Sequence, residues 1–155
     1  MKNNRARLTA PLLRIVVAAV FILSGVTKLV QPYQNFLSVI QSYQVLSGWG
    51  AVAAARTVPW IEFIFGVFLL LGLWLRLSIT ALWMLSTVFA GIVVSALIRR
   101  LPIGDCGCFG GSFSLSPGQV LFLDAALWAA FAILMLFHNR VKVFSLDNRF
   151  ENEKN

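Results

Sequence analysis

Long uninterrupted runs of apolar residues dominate the pattern of this chain. A helix needs about 20 consecutive apolar residues to cross the hydrocarbon of a bilayer. The run from Val58 to Ile98 would be about 60 Å long as one helix, roughly twice the hydrocarbon thickness. We therefore expect it to fold back between Gly72 and Ser78, around Arg76. The pattern therefore predicts four membrane-spanning helices, at about residues 12–30, 58–75, 77–98 and 118–137.

The segment 32–46 has a different pattern, in which apolar residues recur at helical spacing and polar residues occupy the other side. It predicts a short amphipathic helix in the outer membrane interface, with an ordered loop or a lid as alternatives. The predicted fold is all-α: a polytopic membrane four-helix bundle with an interfacial helix after the first span. Residues 1–140 are expected to form one transmembrane domain and residues 141–155 a polar cytoplasmic tail.

Composition and charge support a membrane protein and give its orientation. The chain is 59% hydrophobic and 12% charged, about half the charged fraction of a soluble domain. The net charge of +7 comes from bases at the ends of the apolar runs, which favours membrane orientation over nucleic-acid binding. Most Lys and Arg flank one side, so we expect a bacterial inner-membrane protein with both termini cytoplasmic. A cleaved signal peptide is the alternative for the N-terminus, but the segment is long enough to span.

The two cysteines of the chain, Cys106 and Cys108, lie one residue apart in the glycine-rich loop before the fourth span. Two adjacent thiols can interconvert between a dithiol and a disulfide, and glycine permits the tight turn that this requires. The predicted orientation places this loop outside the cytoplasm, where disulfides are stable. Two cysteines and one histidine exclude a four-ligand zinc site, whereas transient copper(I) binding by two thiolates stays open.

Four ionisable residues lie within the predicted spans, namely Arg14, Lys28, Glu62 and Asp124. Arg14 is expected near the inner surface, where its long side chain can reach the interface. Charges at membrane depth are costly and usually functional. We expect Glu62 about one turn into the second span and Asp124 about two turns into the fourth, in the same outer half as the cysteines. The expected arrangement is a Lys28–Glu62 pair with Asp124 turned toward the bundle interior. These groups would either stabilise a thiolate and carry protons or simply fix helix packing.

Several motifs of the chain match one family of membrane proteins. They are Leu13-Arg14, the run Ser24 to Leu29, Pro59 to Glu62 with Gly66, and Cys106 to Gly110 followed by Asp124. In these residues the chain resembles the MauE branch of the MauE/DoxX family of redox-associated membrane proteins. The resemblance implies a four-helix membrane protein that works beside a thioredoxin-like partner. It also implies a part in making the disulfide-rich small subunit of methylamine dehydrogenase in the periplasm.

The preferred hypothesis is a membrane thiol–disulfide redox protein. Cys106 and Cys108 would exchange electrons with an extracytoplasmic thioredoxin-like partner, and Lys28, Glu62 and Asp124 complete the candidate catalytic set. A membrane quinone is the obvious second electron carrier for an oxidase. The rival is a non-enzymatic assembly factor or a small transporter, in which the cysteine pair is a structural clip or a metal-handling site. The sequence alone leaves open whether the chain is an enzyme.

Overall fold

The computed structural model describes residues 2–101 and 117–136, with side chains from residue 11 to 101 and from 118 to 136. All regular elements in this part of the chain are helices: α1 (Lys2–Val30), α2 (Tyr33–Ser42), α3 (Gly48–Leu71), α4 (Leu75–Ile98) and α5 (Pro117–Leu136). Four of them, α1, α3, α4 and α5, contain segments long and apolar enough to cross a membrane. The predicted helical membrane bundle is confirmed. Cys106, Cys108, His138 and the predicted tail lie outside the described residues.

The four long helices form a closed ring in which α1 contacts α3 and α5, and α4 contacts the same two helices. The backbones of α1 and α3 approach each other closely, because a glycine lies at each of two contact points. A Cβ atom added to Gly25 would lie 2.9 Å from the backbone nitrogen of Phe63, and one added to Gly66 would lie 3.0 Å from the side chain of Ile22. Small residues of this kind let two membrane helices approach closely without a hydrophobic driving force between them.

Two separate apolar clusters form the interior of the bundle. The larger includes Phe21, Leu69, Leu82 and Phe131, together with neighbouring apolar residues from α1, α3, α4 and α5. The smaller joins Tyr43, at the end of α2, to Val93, Ala96 and Val120. Each of the four long helices also contributes buried polar residues. Along the chain, these residues lie between the members of the two clusters: Ser24, Lys28, Glu62, Ser86 and Asp124. These five residues interrupt the apolar interior, and Arg14 and Ser78 are further buried polar residues among those described.

Helix α3 begins at Gly48, well before the Val58 start expected from the hydropathy pattern, and ends at Leu71 rather than at residue 75. Pro59 lies inside the helix instead of near its beginning. The four alanines among residues 51–55 explain the early start, because alanine has the highest intrinsic helix propensity. Proline is tolerated in membrane helices because neighbouring groups satisfy the backbone that it frees.

The predicted reversal between the second and third spans is confirmed, and it occupies residues 72–74. Gly72 ends α3 with a positive φ of 74°, and the amide of Leu73 donates a hydrogen bond to the carbonyl of Phe68. This is a left-handed helix cap, a conformation that glycine adopts without steric cost. Trp74 also has a positive φ, of 43°, directly before α4 begins. The chain thus reverses within three residues.

The predicted amphipathic segment contains α2, which is shorter than the expected range and buries Phe36 against the bundle. Two arginines hold its ends. The guanidinium of Arg56 lies 4.7 Å from the ring centroid of Tyr33, and Nη2 of Arg99 donates a 2.6 Å hydrogen bond to the carbonyl of Tyr43. A helix leaves its last carbonyls without internal partners, so the Arg99 contact caps α2 with a charged donor. The position of α2 in the membrane interface stays a prediction.

Candidate functional site: a buried polar cavity

An ion pair between Lys28 and Glu62 joins α1 to α3 and confirms the expected pairing. The Nζ atom of Lys28 lies 2.8 Å from each carboxylate oxygen of Glu62. It also donates a 2.9 Å hydrogen bond to the hydroxyl of Ser24, which in turn donates to Oε2 of Glu62 at 3.0 Å. Both charged side chains are at most 3% exposed. The two charges and the hydroxyl form a closed network that satisfies each member.

Two aromatic rings flank the same ammonium group. The Nζ atom of Lys28 lies 5.0 Å from the ring centroid of Phe36 on α2 and 5.4 Å from that of Phe89 on α4. A cation at this distance from the face of an aromatic ring is attracted by its quadrupole. The charge of Lys28 is therefore stabilised by α1, α2, α3 and α4 together.

Asp124 projects into the bundle, as expected, but its environment differs from that of Glu62. The residue is 8% exposed and receives one hydrogen bond, from the hydroxyl of Ser86 to Oδ1 at 3.3 Å. Its second oxygen, Oδ2, is buried and has no hydrogen-bond partner among the described residues. An unpaired buried carboxylate oxygen is energetically costly. Asp124 is thus the buried acid whose charge the surrounding described residues leave uncompensated.

A small cavity of about 40 Å³ connects these groups. Its polar lining consists of Ser24, Lys28, Glu62, Ser86 and Asp124, and its apolar lining includes Phe21 and Phe89. The expectation that Glu62 lies one turn into its helix is wrong, since α3 begins at Gly48 and Glu62 lies about four turns along it. Asp124 lies about two turns from the start of α5, as expected. The cavity is therefore at the middle of α3 and α4 rather than at their ends.

The comparison with protein families agrees with the motifs described above. The sequence model for the methylamine utilisation protein MauE matches residues 6–138, which is most of the chain. The chain belongs to the MauE family. The matched range includes every residue that lines the polar cavity and both cysteines of the loop. No curated protein and no solved structure is significantly similar to the chain.

Sequence reasoning for this MauE family member identified the charged residues of the cavity but missed the two serines and the two phenylalanines around them. Ser24 precedes Lys28 by one helical turn, which is a signal for a shared helix face. Ser86 is a polar residue within an apolar run. Nothing in the sequence distinguishes Phe36 or Phe89 from the many other phenylalanines. The cysteines lie outside the described residues, so their relation to the cavity stays a prediction.

A second, apolar cavity lies beside the first between α2, α3 and α4, and Phe89 lines both. Its volume is about 160 Å³, and its walls include Phe36, Tyr43, Val58 and Ile92. An apolar cavity of about 150 Å³ accommodates a benzene ring, so this one has room for a ring-sized apolar group. Among the described residues, no cluster of three or more His, Cys, Asp or Glu side chains could hold a metal ion.

Proposed function

We propose that this MauE family member is an integral membrane thiol–disulfide redox protein. Cys106 and Cys108 exchange electrons with an extracytoplasmic thioredoxin-like protein, in the maturation of periplasmic proteins such as methylamine dehydrogenase. The family match and the adjacent thiols support this function. The inner membrane is the proposed location, with both termini in the cytoplasm and the cysteine loop outside.

The exchange is a pair of thiol–disulfide substitutions. A thiolate of the reduced partner attacks one sulfur of the Cys106–Cys108 disulfide, forms a mixed disulfide and displaces the other cysteine as a thiolate. The second thiol of the partner then attacks the mixed disulfide, which releases an oxidised partner and a reduced Cys106–Cys108 pair. Two electrons and two protons move in each complete exchange, and the reverse reaction follows the same steps. Each direction therefore requires a group that stabilises thiolates or carries protons.

The observation that carries the proposal is the buried polar cavity and its position along α5. Asp124 lies about 10 Å along the helix from Pro117, the first described residue after the segment that contains the cysteines. Lys28 and Glu62, which line the same cavity, supply a fixed charge pair in the membrane interior. Ionisable residues at this depth are typical of sites that move protons or substrates.

Trapping of the mixed disulfide tests the proposal. Membranes from cells that produce Cys106→Ser or Cys108→Ser are treated with an alkylating agent and separated without reductant. One of the two variants is expected to accumulate a covalent complex with an extracytoplasmic protein, because the resolving thiol is missing. Mass spectrometry of the complex identifies the partner, and reduction with dithiothreitol must release it.

The control is the double variant Cys106→Ser/Cys108→Ser, which retains the helices and the cavity but cannot form the complex. Three outcomes would contradict the proposal. They are the absence of a mixed disulfide in both single variants, full function of the double variant, and stoichiometric copper(I) binding that the Cys→Ser variants lose. The last two would favour the assembly-factor or transporter hypothesis and the metal-handling hypothesis, respectively.

A further inference from the structure

The donors of Lys28 are fully used within its own network. An ammonium group has three N–H donors. Three acceptors surround Nζ at 2.8–2.9 Å, namely Oε1 and Oε2 of Glu62 and Oγ of Ser24. The Phe36 and Phe89 rings occupy two further sides of the group. The charge of Lys28 is therefore balanced by Glu62, and Lys28 has no N–H donor left for a second carboxylate.

Asp124 faces the cavity without a counter-ion of its own. Helix α1 contributes Ser24 and Lys28 to the cavity walls, α3 contributes Glu62, and α4 contributes Ser86 and Phe89. The charged groups among these neutralise each other. The remaining polar group, the Ser86 hydroxyl, reaches Oδ1 at 3.3 Å, whereas Oδ2 has no partner among the described residues. An ionised Asp124 would place a net negative charge in the middle of the bundle.

An isolated buried carboxylate is so costly that the group normally takes up a proton instead. We propose that the cavity is a proton-binding site, in which the Asp124 carboxyl carries an exchangeable proton at neutral pH. The proton removes the uncompensated charge, and the resulting hydroxyl turns the unpartnered acceptor into a donor. Glu62 differs from Asp124, because Lys28 and Ser24 donate hydrogen bonds to its two oxygens. The two buried acids that line the cavity thus have different hydrogen-bonding environments.

The geometry favours a proton over a metal cation as the ligand. Both Glu62 oxygens already accept hydrogen bonds from Lys28, so Asp124 and Ser86 are the oxygen ligands that a cation could use. Na⁺ and larger hard cations prefer more oxygen ligands than these two side chains supply. A cavity of about 40 Å³ does have room for a water molecule, which would let the proton exchange.

The proton site stands on the geometry of Asp124 alone, whereas its use in disulfide chemistry rests on the function proposed above. Formation or reduction of a disulfide changes the number of bound protons by two. A buried acid that exchanges one proton, two turns from the end of the cysteine loop, would accept or supply protons there.

Infrared spectroscopy of the full chain in lipid nanodiscs tests the proton site. At neutral pH we expect a carbonyl band of a protonated carboxylic acid, which shifts to lower frequency in D₂O. The band should be lost in Asp124→Asn. This variant should keep the melting temperature of the wild type, because an amide resembles a neutral acid in size and hydrogen bonding. Asp147→Asn, the same substitution in the predicted tail, is the matched control and should keep the band.

Three results would overturn the proposal. They are no protonated-acid band at neutral pH, a band that survives Asp124→Asn, and a band that added NaCl removes at constant pH, which would make the cavity a cation site. The variant Cys106→Ser/Cys108→Ser should retain the band, so a failure of the thiol function leaves this result intact. Loss of the band in that variant would show that protonation of Asp124 depends on the cysteines rather than on the geometry of the cavity, and would also contradict the proposal.

Discussion

Lys28 and Glu62 place two opposite charges inside the bundle, where the apolar surroundings cannot solvate either of them. Each group is stable only because the other is present, together with the Ser24 hydroxyl and the two flanking rings. Pairs of this kind contribute little net stability relative to a well-packed apolar pair, because both charges must first be desolvated. Their removal one member at a time is a different matter, since it leaves a buried charge without a partner.

Glu62→Gln and Lys28→Met are each expected to lower the free energy of unfolding by about 3–5 kcal/mol, because each strands a buried charge. The double variant Lys28→Met/Glu62→Gln should lose much less free energy of unfolding than the sum of the losses in the two single variants. Denaturant unfolding in detergent micelles, followed by circular dichroism, gives all three values. Arg76→Gln removes an exposed charge from α4 and should stay within about 0.5 kcal/mol of wild type. Additive losses in the double variant would show that the two residues do not interact.

The charged residues of the cavity could be predicted from sequence for a simple reason. Few ionisable residues occur inside the spans, and antiparallel neighbours bring Lys28 and Glu62 to similar depths. The uncompensated state of Asp124 could not be predicted, because it depends on how completely Glu62 and Ser24 use the three donors of Lys28. Whether these hydrogen bonds form depends on distances of a few tenths of an ångström, and a hydropathy pattern contains no information on such distances.

At the scale of elements, the α1–α3 crossing sets the geometry of the ion pair. Gly25 lies one helical turn before Lys28 in sequence, and it contacts the backbone of α3 at Pro59 and Phe63, on either side of Glu62. The close approach therefore fixes the separation of the two helices at the point where the charges meet. Any change that moves the helices apart should also lengthen the ion pair.

Gly25→Ala is expected to destabilise the bundle by about 1–3 kcal/mol, because the new Cβ would lie within 3.0 Å of α3 backbone atoms that cannot move freely. Gly91→Ala is the matched control: it lies within α4, and its added Cβ meets nothing within 4 Å. Both variants gain helix propensity, worth about 1 kcal/mol, so the difference in stability between them reports the cost of the helix contact alone. Thermal unfolding in the same detergent measures this difference. Equal melting temperatures would mean that the crossing tolerates a wider separation.

The number and order of the helices followed from the apolar runs, but the start of α3 did not. The apolar run that begins at Val58 suggested a boundary there, whereas α3 begins at Gly48 and continues through Arg56, Thr57 and Pro59. Thr57 donates to the carbonyl of Ala53 inside the helix, and Arg56 lies over the ring of Tyr33. Both polar side chains are thus satisfied locally. Contacts of this kind allow the helix to continue through both polar residues.

At the scale of the whole molecule, the outer surface is suited to contact with lipid rather than with water. Large apolar side chains such as Val30, Ile98, Phe122 and Leu136 are mostly exposed on the outside of the bundle, while the charged residues of the polar cavity, Lys28, Glu62 and Asp124, are buried. This is the reverse of a soluble protein and is stable when lipid covers the outer surface. Two of the three arginines expected on the outer side, Arg56 and Arg99, contact α2. They have a structural role although their position runs against the positive-inside rule.

The orientation of the whole bundle can be tested through α4. Its 24 residues make a helix about 36 Å long, which exceeds the hydrocarbon thickness of about 30 Å. A spanning α4 therefore places Arg76 and the loop after Ile98 on opposite sides of the membrane. We expect an impermeant maleimide to label Cys106 and Cys108 in intact, mildly reduced cells. Arg76→Cys, on a background without the native cysteines, should be labelled only after permeabilisation. The reversed pattern would place the cysteine loop in the cytoplasm, where a stable disulfide and an extracytoplasmic partner are both untenable.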